Sequence, residues 1–556
     1  MDRAPSGSPA DVGARDRGEP EGPRSGVPAF LGSWALSALI VALAVAQQAF
    51  GHLNGDDSWF ILFAERVAGG AKAYVDISDP NPPAGFLVYM PAVLLARATG
   101  LSAEFWTVVQ TFVFTFISLA LSGALLSRAG LLSHEESGAL RNAALWVLLF
   151  AAGFGFAERE HFALIAFLPF AAAMLARSDP RSPLWGRAGG AERAISPDYP
   201  TPHPNPPPKG GRESGPGRPS DSRLLLQILA GLCGGVTLCF KPYFALPLAA
   251  VVLFAIARRR SVAPLFAVEN FAAASVAIAY ALLVWLRYPD YVWSVATVAM
   301  DVYAPARYGI AEVMASPPFV FSAVLLLGLA AGLYFLGFEV RAALLGVASV
   351  GFFATYVIQS KNWFNHAWPG EALGVLALVA LALGRLPTRG EAAARFARLA
   401  VLPALIVAPF LCAVQLNLLG AEEYAGLTAA VRETGPARPK IAALARQLDI
   451  GHPLTRRLGG VWVGRRNALW VDNCVRQILA TRKVDDETRA KLLEYAADER
   501  REVGEDITKG KPDILLIEDP PLREWAVKKP EFAGLLDGYA KKAQVGDIEV
   551  WRRVGG

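Results

Sequence analysis

Two aspartates stand side by side in NGDDSWF, Asn54 to Phe60, directly after the first long apolar run of the chain. One acidic residue suits the N-cap or first turn of the amphipathic helix predicted for DSWFILFAERVAGG. A second beside it is repelled by the first, and a coupled carboxylate pair at a partly dry surface suits a general base or a cation site. FAEREHFALIAFLPF sets Glu158, Arg159, Glu160 and His161 together between two short apolar runs. CFKPYF sets Lys241 at the end of another, and QSKNWFNHAWPGE holds Lys361 and His366 between Trp363 and Trp368. Charges beside apolar spans are costly unless paired or wet. Each group also has a plainer reading: a hairpin of mutually neutralising charges, a lysine snorkelling to the interface, or an interfacial aromatic belt. Asp79 opens the Pro-rich DPNPP, a rigid extended turn that at its simplest returns the chain to the membrane.

The elements that must position these residues are membrane helices. With 556 residues, 53% hydrophobic and 19% charged, and a mean hydropathy of +0.34, the chain is too apolar for a soluble protein of its size. Ala29 to Phe50 is long enough to cross ~30 Å of hydrocarbon and has no small-residue cleavage site, so it reads as a first span rather than a signal peptide. Further spans are expected at 104–127, 140–157, 161–177, 224–240, 242–257, 264–286, 317–337, 342–358, 369–385 and 398–417. The stretch 84–98 is short and carries Pro91. Basic residues mark the cytoplasmic side, and the tail before Ala29, Arg128, Arg141, the segment 178–223, Arg258 to Arg260, Arg341 and the cluster from Arg385 to Arg398 share one side only if 84–98 does not cross.

The expectation is therefore an α-helical polytopic protein of about eleven spans with its N-terminus in the cytoplasm. A cytoplasmic disordered tail covers 1–28, and a transmembrane domain 29–417 carries an outer-face loop 51–103 and a disordered Pro/Gly/Ser-rich cytoplasmic insertion 178–222. His203 falls in that insertion, part of which resembles translated intergenic repeats. Residues 418–556 regain soluble character, with helical DDETRAKLLEYAADERREV and strand-like DILLIE and IEVWRR, and read as a small extracytoplasmic α/β domain. Cys233, Cys239 and Cys412 lie in spans and Cys474 stands alone, so neither a disulfide in the C-terminal region nor a cysteine-type metal site is expected. The modest charge of +5 sits mostly in short loops, which speaks against nucleic acid.

In order come a first span, an acidic pair, an amphipathic helix ending in Gly-Gly, and a Pro-Pro motif opening a short apolar helix. That order resembles the GT-C superfamily of integral-membrane glycosyltransferases, such as protein O-mannosyltransferases and lipid A aminoarabinose transferases. Asp56-Asp57 resembles the acidic motif of the first outer loop, and DPNPPAGF the His/Lys-Pro-Pro-Leu motif, with Asn81 in place of the basic residue. FAEREHF sits where relatives carry an arginine followed by an acid, and the final soluble domain also fits. The resemblance implies that a sugar passes, with inversion, from a polyprenyl-phosphate donor to an envelope glycan, lipid or protein acceptor on the periplasmic face of a bacterial inner membrane. It makes Asp56, and after it Asp57, the base for the acceptor hydroxyl. It assigns Arg159, Lys241, Lys361 and His366 to the donor phosphate, and Glu158, Glu160 and Asp79 to support of substrate or cation.

No nucleotide sugar is implied, in line with the lack of a Rossmann-type glycine fingerprint. No cofactor is required, and a divalent cation among Asp56, Asp57, Glu158, Glu160 and His366 is left open, because scattered ligands give no spacing to test. The competing class is a transporter or lipid flippase, which places its charges at mid-membrane on broken helices, often in inverted repeats. Here the unusual charges lie at span ends and no internal repeat shows. A structural envelope protein with a partner-binding domain would not need the acidic pair.

Overall fold

The structure, a computed structural model, describes residues 29–51, 53–179, 221–385 and 426–555. The first apolar run forms α1 (Trp34–Phe50), capped by Ser33, and after a bend the chain enters α2 (Gly55–Ala68). The short stretch expected not to cross forms α3 (Ala84–Leu87) and α4 (Met90–Thr99). Then follow α5 (Ala103–Arg128), α6 (His134–Leu145), α7 (Arg159–Ser178), α8 (Asp221–Phe240), α9 (Ala245–Arg259) and α10 (Val268–Arg287). After a run of short turns come α11 (Ile310–Ala315), α12 (Pro317–Phe335), α13 (Val340–Gln359) and α14 (Phe364–Arg385).

Among the described residues eight helices are long and apolar enough to cross a membrane, α5, α7 to α10 and α12 to α14, or nine with α1 and α2 taken as one broken span. The described residues alone thus do not make up the expected eleven. The segment 398–417 lies outside the described residues, as do 1–28, 180–220 and 418–425. The segment expected at 140–157 is displaced: Ser133 and Glu136 form a capping box that starts the helix at His134, and a wider turn over Trp146–Phe150 ends it. From there Gly153 and Ala157, both at positive φ, turn the chain into α7.

The post of the bundle is α7, buried along its length and packed against α5, α8, α9, α13 and α14. The basic helix ends gather at one end of it. Arg128 reaches the carbonyl of Ser222, Arg258 lies 5.1 Å from the Phe338 ring, and Arg341 pairs with Glu136 at 2.8 Å and Glu339 at 2.6 Å. Arg159, at the start of α7, marks the opposite end.

The C-terminal region is a five-stranded sheet in the order β2-β1-β3-β5-β4, made of β1 (Lys440–Leu444), β2 (Val461–Trp462), β3 (Ile514–Ile517), β4 (Tyr539–Val545) and β5 (Ile548–Arg553). The first three strands run parallel, and β5 joins β3 antiparallel. The ILLI of β3 is buried at every position, as a strand covered on both faces must be. On one face Ile507 of α16 (Asp486–Gly510) packs on Ala442, Leu444, Leu515 and Ile517, and α15 (Trp470–Thr481) packs in turn against α16.

This domain grips α2. Arg456 donates to both carboxylate oxygens of Glu65, at 2.6 and 2.9 Å, and also reaches Glu104. Arg66 donates to the carbonyls of Gly464, at 2.8 Å, and Trp462. A side chain at Gly55 would collide with Asp449, so the N-terminus of α2 is seated against the domain. His452 is wedged between Trp59 and Trp462, with ring centroids 5.3 and 4.7 Å away.

Burial pushes the His452 imidazole down to about 3 from 6.5. Between those values the undocked chain binds a proton that the docked one refuses, so the contribution is complete above pH 6.5 and is lost as pH falls toward 3. At pH 5 the expected loss is ~2 kcal/mol. Thermal unfolding at pH 7 and pH 5 should show it, with His452→Phe flattening the difference. An equal acid loss in that variant would place the sensitivity elsewhere.

Candidate active site

Asn54 caps α2 by accepting the Asp57 N–H at 2.8 Å, which puts both aspartates in the first turn. Successive helical residues point about 100° apart, and the two carboxylates part company. Asp57 faces inward and is fully buried, with Oδ1 2.7 Å from the Tyr89 hydroxyl, which also lies 2.9 Å from the Ala157 carbonyl. Asp56 keeps 29% of its side chain exposed, and its Oδ2 accepts Arg159 Nη2 at 3.0 Å.

The facing wall is the first turn of α7. Glu158 stands at its N-cap, its carboxylate held by the side-chain amides of Asn54 and Asn365. Arg159 lies over the Phe60 ring at 4.4 Å, a cation–π contact that fixes its plane beside Asp56. Glu160 pairs with Lys241, whose Nζ also donates to Gln359 Oε1 at 3.0 Å and sits 2.9 Å from His366 Nε2. That nitrogen of His366 is 3.5 Å from Glu160 Oε1. Three buried atoms, Arg159 Nη1, Glu160 Oε2 and His366 Nδ1, find no partner among the described residues and keep their hydrogen-bonding capacity for a ligand.

Of the residues singled out in the sequence, Asp56, Arg159, Glu160, Lys241 and His366 form this cluster, with Asp57 and Glu158 as its buried underlay. Asp79 closes the Pro-rich turn, where Oδ1 accepts the backbone N–H of Asn81 at 2.9 Å and its side-chain amide at 2.7 Å, and Oδ2 accepts Trp59 Nε1 at 3.0 Å. Burial raises its carboxyl above the usual range, with Arg159 pulling the other way. Lys361 is engaged elsewhere: its Nζ donates to the Tyr303 carbonyl at 2.7 Å and to that of Ala306, 4.1 Å from the Tyr303 ring. Tyr89, Asn365 and Gln359 are partners that no sequence pattern marks. Asn365 and Gln359 flank the Lys361 loop, while Tyr89 lies in an apolar stretch with nothing to mark it.

Among the described residues no three His, Cys, Asp or Glu side chains converge in a cage for a metal ion. A separate cavity of about 270 Å3 lies toward the basic end, lined by side chains such as Leu126, Leu140, Leu175 and Leu344.

The fold is shared with ArnT from Cupriavidus metallidurans bound to undecaprenyl phosphate, at a TM-score of 0.53 and 14% identity over 94% of this chain and 98% of that one. Its apo state gives 0.49 at 14% identity over 93% and 97% of the two chains. The archaeal oligosaccharyltransferase AglB from Archaeoglobus fulgidus, in complex with an inhibitory peptide and a dolichol-phosphate, gives 0.39 at 10% identity over 93% and 74%. Only the first similarity is close enough to carry weight, and it establishes the architecture: a polytopic helical membrane protein with the ArnT fold, as the GT-C-like order of motifs predicts. No protein-family model matches the chain, and no curated protein matches it in sequence.

Proposed function

We propose that this protein is a membrane glycosyltransferase that takes a sugar from a polyprenyl-phosphate donor and passes it, with inversion, to an envelope acceptor. The observation that carries the reading is the contact of Asp56 with Arg159, a partly exposed carboxylate beside a buried guanidinium with a free nitrogen. The ArnT structure of the same fold binds undecaprenyl phosphate, which supports a lipid phosphate as the ligand.

Asp56 accepts the proton of the acceptor hydroxyl as its oxygen attacks the anomeric carbon. The bond from that carbon to the phosphate oxygen breaks, and the phosphate leaves with the electron pair. Arg159 receives it through Nη1, and Lys241, oriented by Glu160, Gln359 and His366, adds a second positive charge. Such a preorganised contact contributes on the order of 3–4 kcal/mol to the transition state. Lys361 serves at one remove, fixing the carbonyls of Tyr303 and Ala306. The gathering of basic helix ends opposite the site supports an inner-membrane protein with a cytoplasmic N-terminus and the site and C-terminal domain in the periplasm.

Membranes containing the protein, incubated with a panel of radiolabelled polyprenyl-phosphate sugars and native envelope acceptors, should transfer label from one of them. If folded protein turns over none, the glycosyltransferase reading falls and transport becomes the better account.

A further inference from the structure

The chain between α10 and α11 lies against the C-terminal domain. Val302 and Ala306 pack on Val471, Val475 and Ile478, and Asp301 pairs with Lys491 at 2.8 Å and accepts the Tyr495 hydroxyl at 3.0 Å. Beyond this seam, between Arg307–Glu312 and α15, opens a cleft of about 540 Å3. Arg307, Arg476 and Arg482 line it with one acid, Glu312, whose carboxylate already accepts the Gly309 N–H at 2.8 Å. Arg307 Nε donates to the Ala304 carbonyl at 2.7 Å and Arg476 Nη2 to Asn473 Oδ1 at 2.9 Å. Among the described residues none of the three guanidinium groups is in an ion pair. Three cations on one cleft repel one another until an anion joins them, and guanidinium suits phosphate and carboxylate alike.

The cleft adjoins the catalytic cluster. Lys361 stands between them: its Nζ holds the carbonyl of Ala306, the neighbour of Arg307, and it follows by two residues Gln359, the partner of Lys241; burial first, then the positive charges of Arg307, Lys241 and Arg482, push its amine down to about 8. The positive field therefore runs from the lysine we assign to the donor phosphate to the arginines of the cleft. We propose that the cleft formed by Arg307, Arg476 and Arg482 binds an anionic group of the acceptor, a phosphate or a carboxylate, and thereby selects the acceptor. This rests on the glycosyltransferase reading, and the test separates the two.

Full-length protein in neutral detergent is titrated with two probes, a short-chain phosphatidic acid and trigalacturonate, at low and high salt. The wild type should bind at least one, more weakly in salt, and the probe that binds distinguishes a lipid phosphate from an acidic glycan. Arg476 and Arg482 are exposed, so the double variant Arg476→Ala/Arg482→Ala should fold and bind at least tenfold more weakly, while lysine at both positions restores most of the affinity. With the acceptor in hand, its KM should rise and kcat should hold in the double variant. Binding of neither probe, or equal binding by the double variant, overturns the site. Binding that the substitutions weaken, in a protein that transfers from no donor, overturns the acceptor assignment together with the proposed function.

Discussion

Asp56→Asn is expected to abolish transfer while leaving the protein folded and inserted. A positioned general base contributes ~10²–10⁴-fold, and an amide cannot take the proton. The fold should survive, because the amide oxygen still accepts Arg159 Nη2 and the guanidinium keeps the field of Glu160 and Asp79. The informative partner is Asp57→Asn. Asp57 is fully buried behind Tyr89, so no acceptor reaches it, and its amide still receives the tyrosine hydroxyl. That variant should stay within about tenfold of the wild type, well short of a lost general base. Initial rates of label transfer from the active donor, with monodispersity as the folding control, decide the matter. Full activity in Asp56→Asn would remove Asp56 from the mechanism, and loss confined to Asp57→Asn would exchange the two roles.

The divergence of these neighbours shows where sequence reading stops. Their standing together at the start of a helix beside an apolar run was legible, since two adjacent carboxylates there have few structural uses. Which of them faces the core was not, because helical geometry fixes the angle between them and leaves the rotation of α2 to packing against Tyr89 and α7. Glu160, Lys241 and His366 were legible as costly charges at span ends for the same reason. That they meet depends on α7, α8 and α14 converging, which no local pattern encodes. Lys361 looked like its neighbours in composition, yet it belongs to carbonyls some 55 residues away. The displaced span at 140–157 does carry a local signal: Ser133 and Glu136 spell a capping box. The arginines of the cleft had no signature, because they come from a loop and a helix of different domains.

The largest effect on stability is expected far from the chemistry, at Arg456. Its guanidinium is largely covered between Glu65 of α2 and Glu104 at the start of α5, so Arg456→Ala leaves two carboxylates facing each other without their cation. Both carboxylates keep about a third of their surface in solvent, so the cost falls below the ~3–5 kcal/mol of a fully buried pair, to about 1–3 kcal/mol, and it falls on the seam between domain and bundle. A clear drop in melting temperature and faster proteolysis of the C-terminal domain should follow. The same change should reach the site, because α2 is a single strut with Asp56 in its first turn and Glu65 in its last. With Arg456 gone, the helix keeps Arg66 and the His452 wedge but loses its firmest hold on the domain, and Asp56 should drift from Arg159. Transfer should therefore fall at temperatures where the protein is still folded. A variant that melts early yet transfers normally below its transition would show that the seam holds the domain without aiming the carboxylate, and that α7 alone sets the geometry of the site.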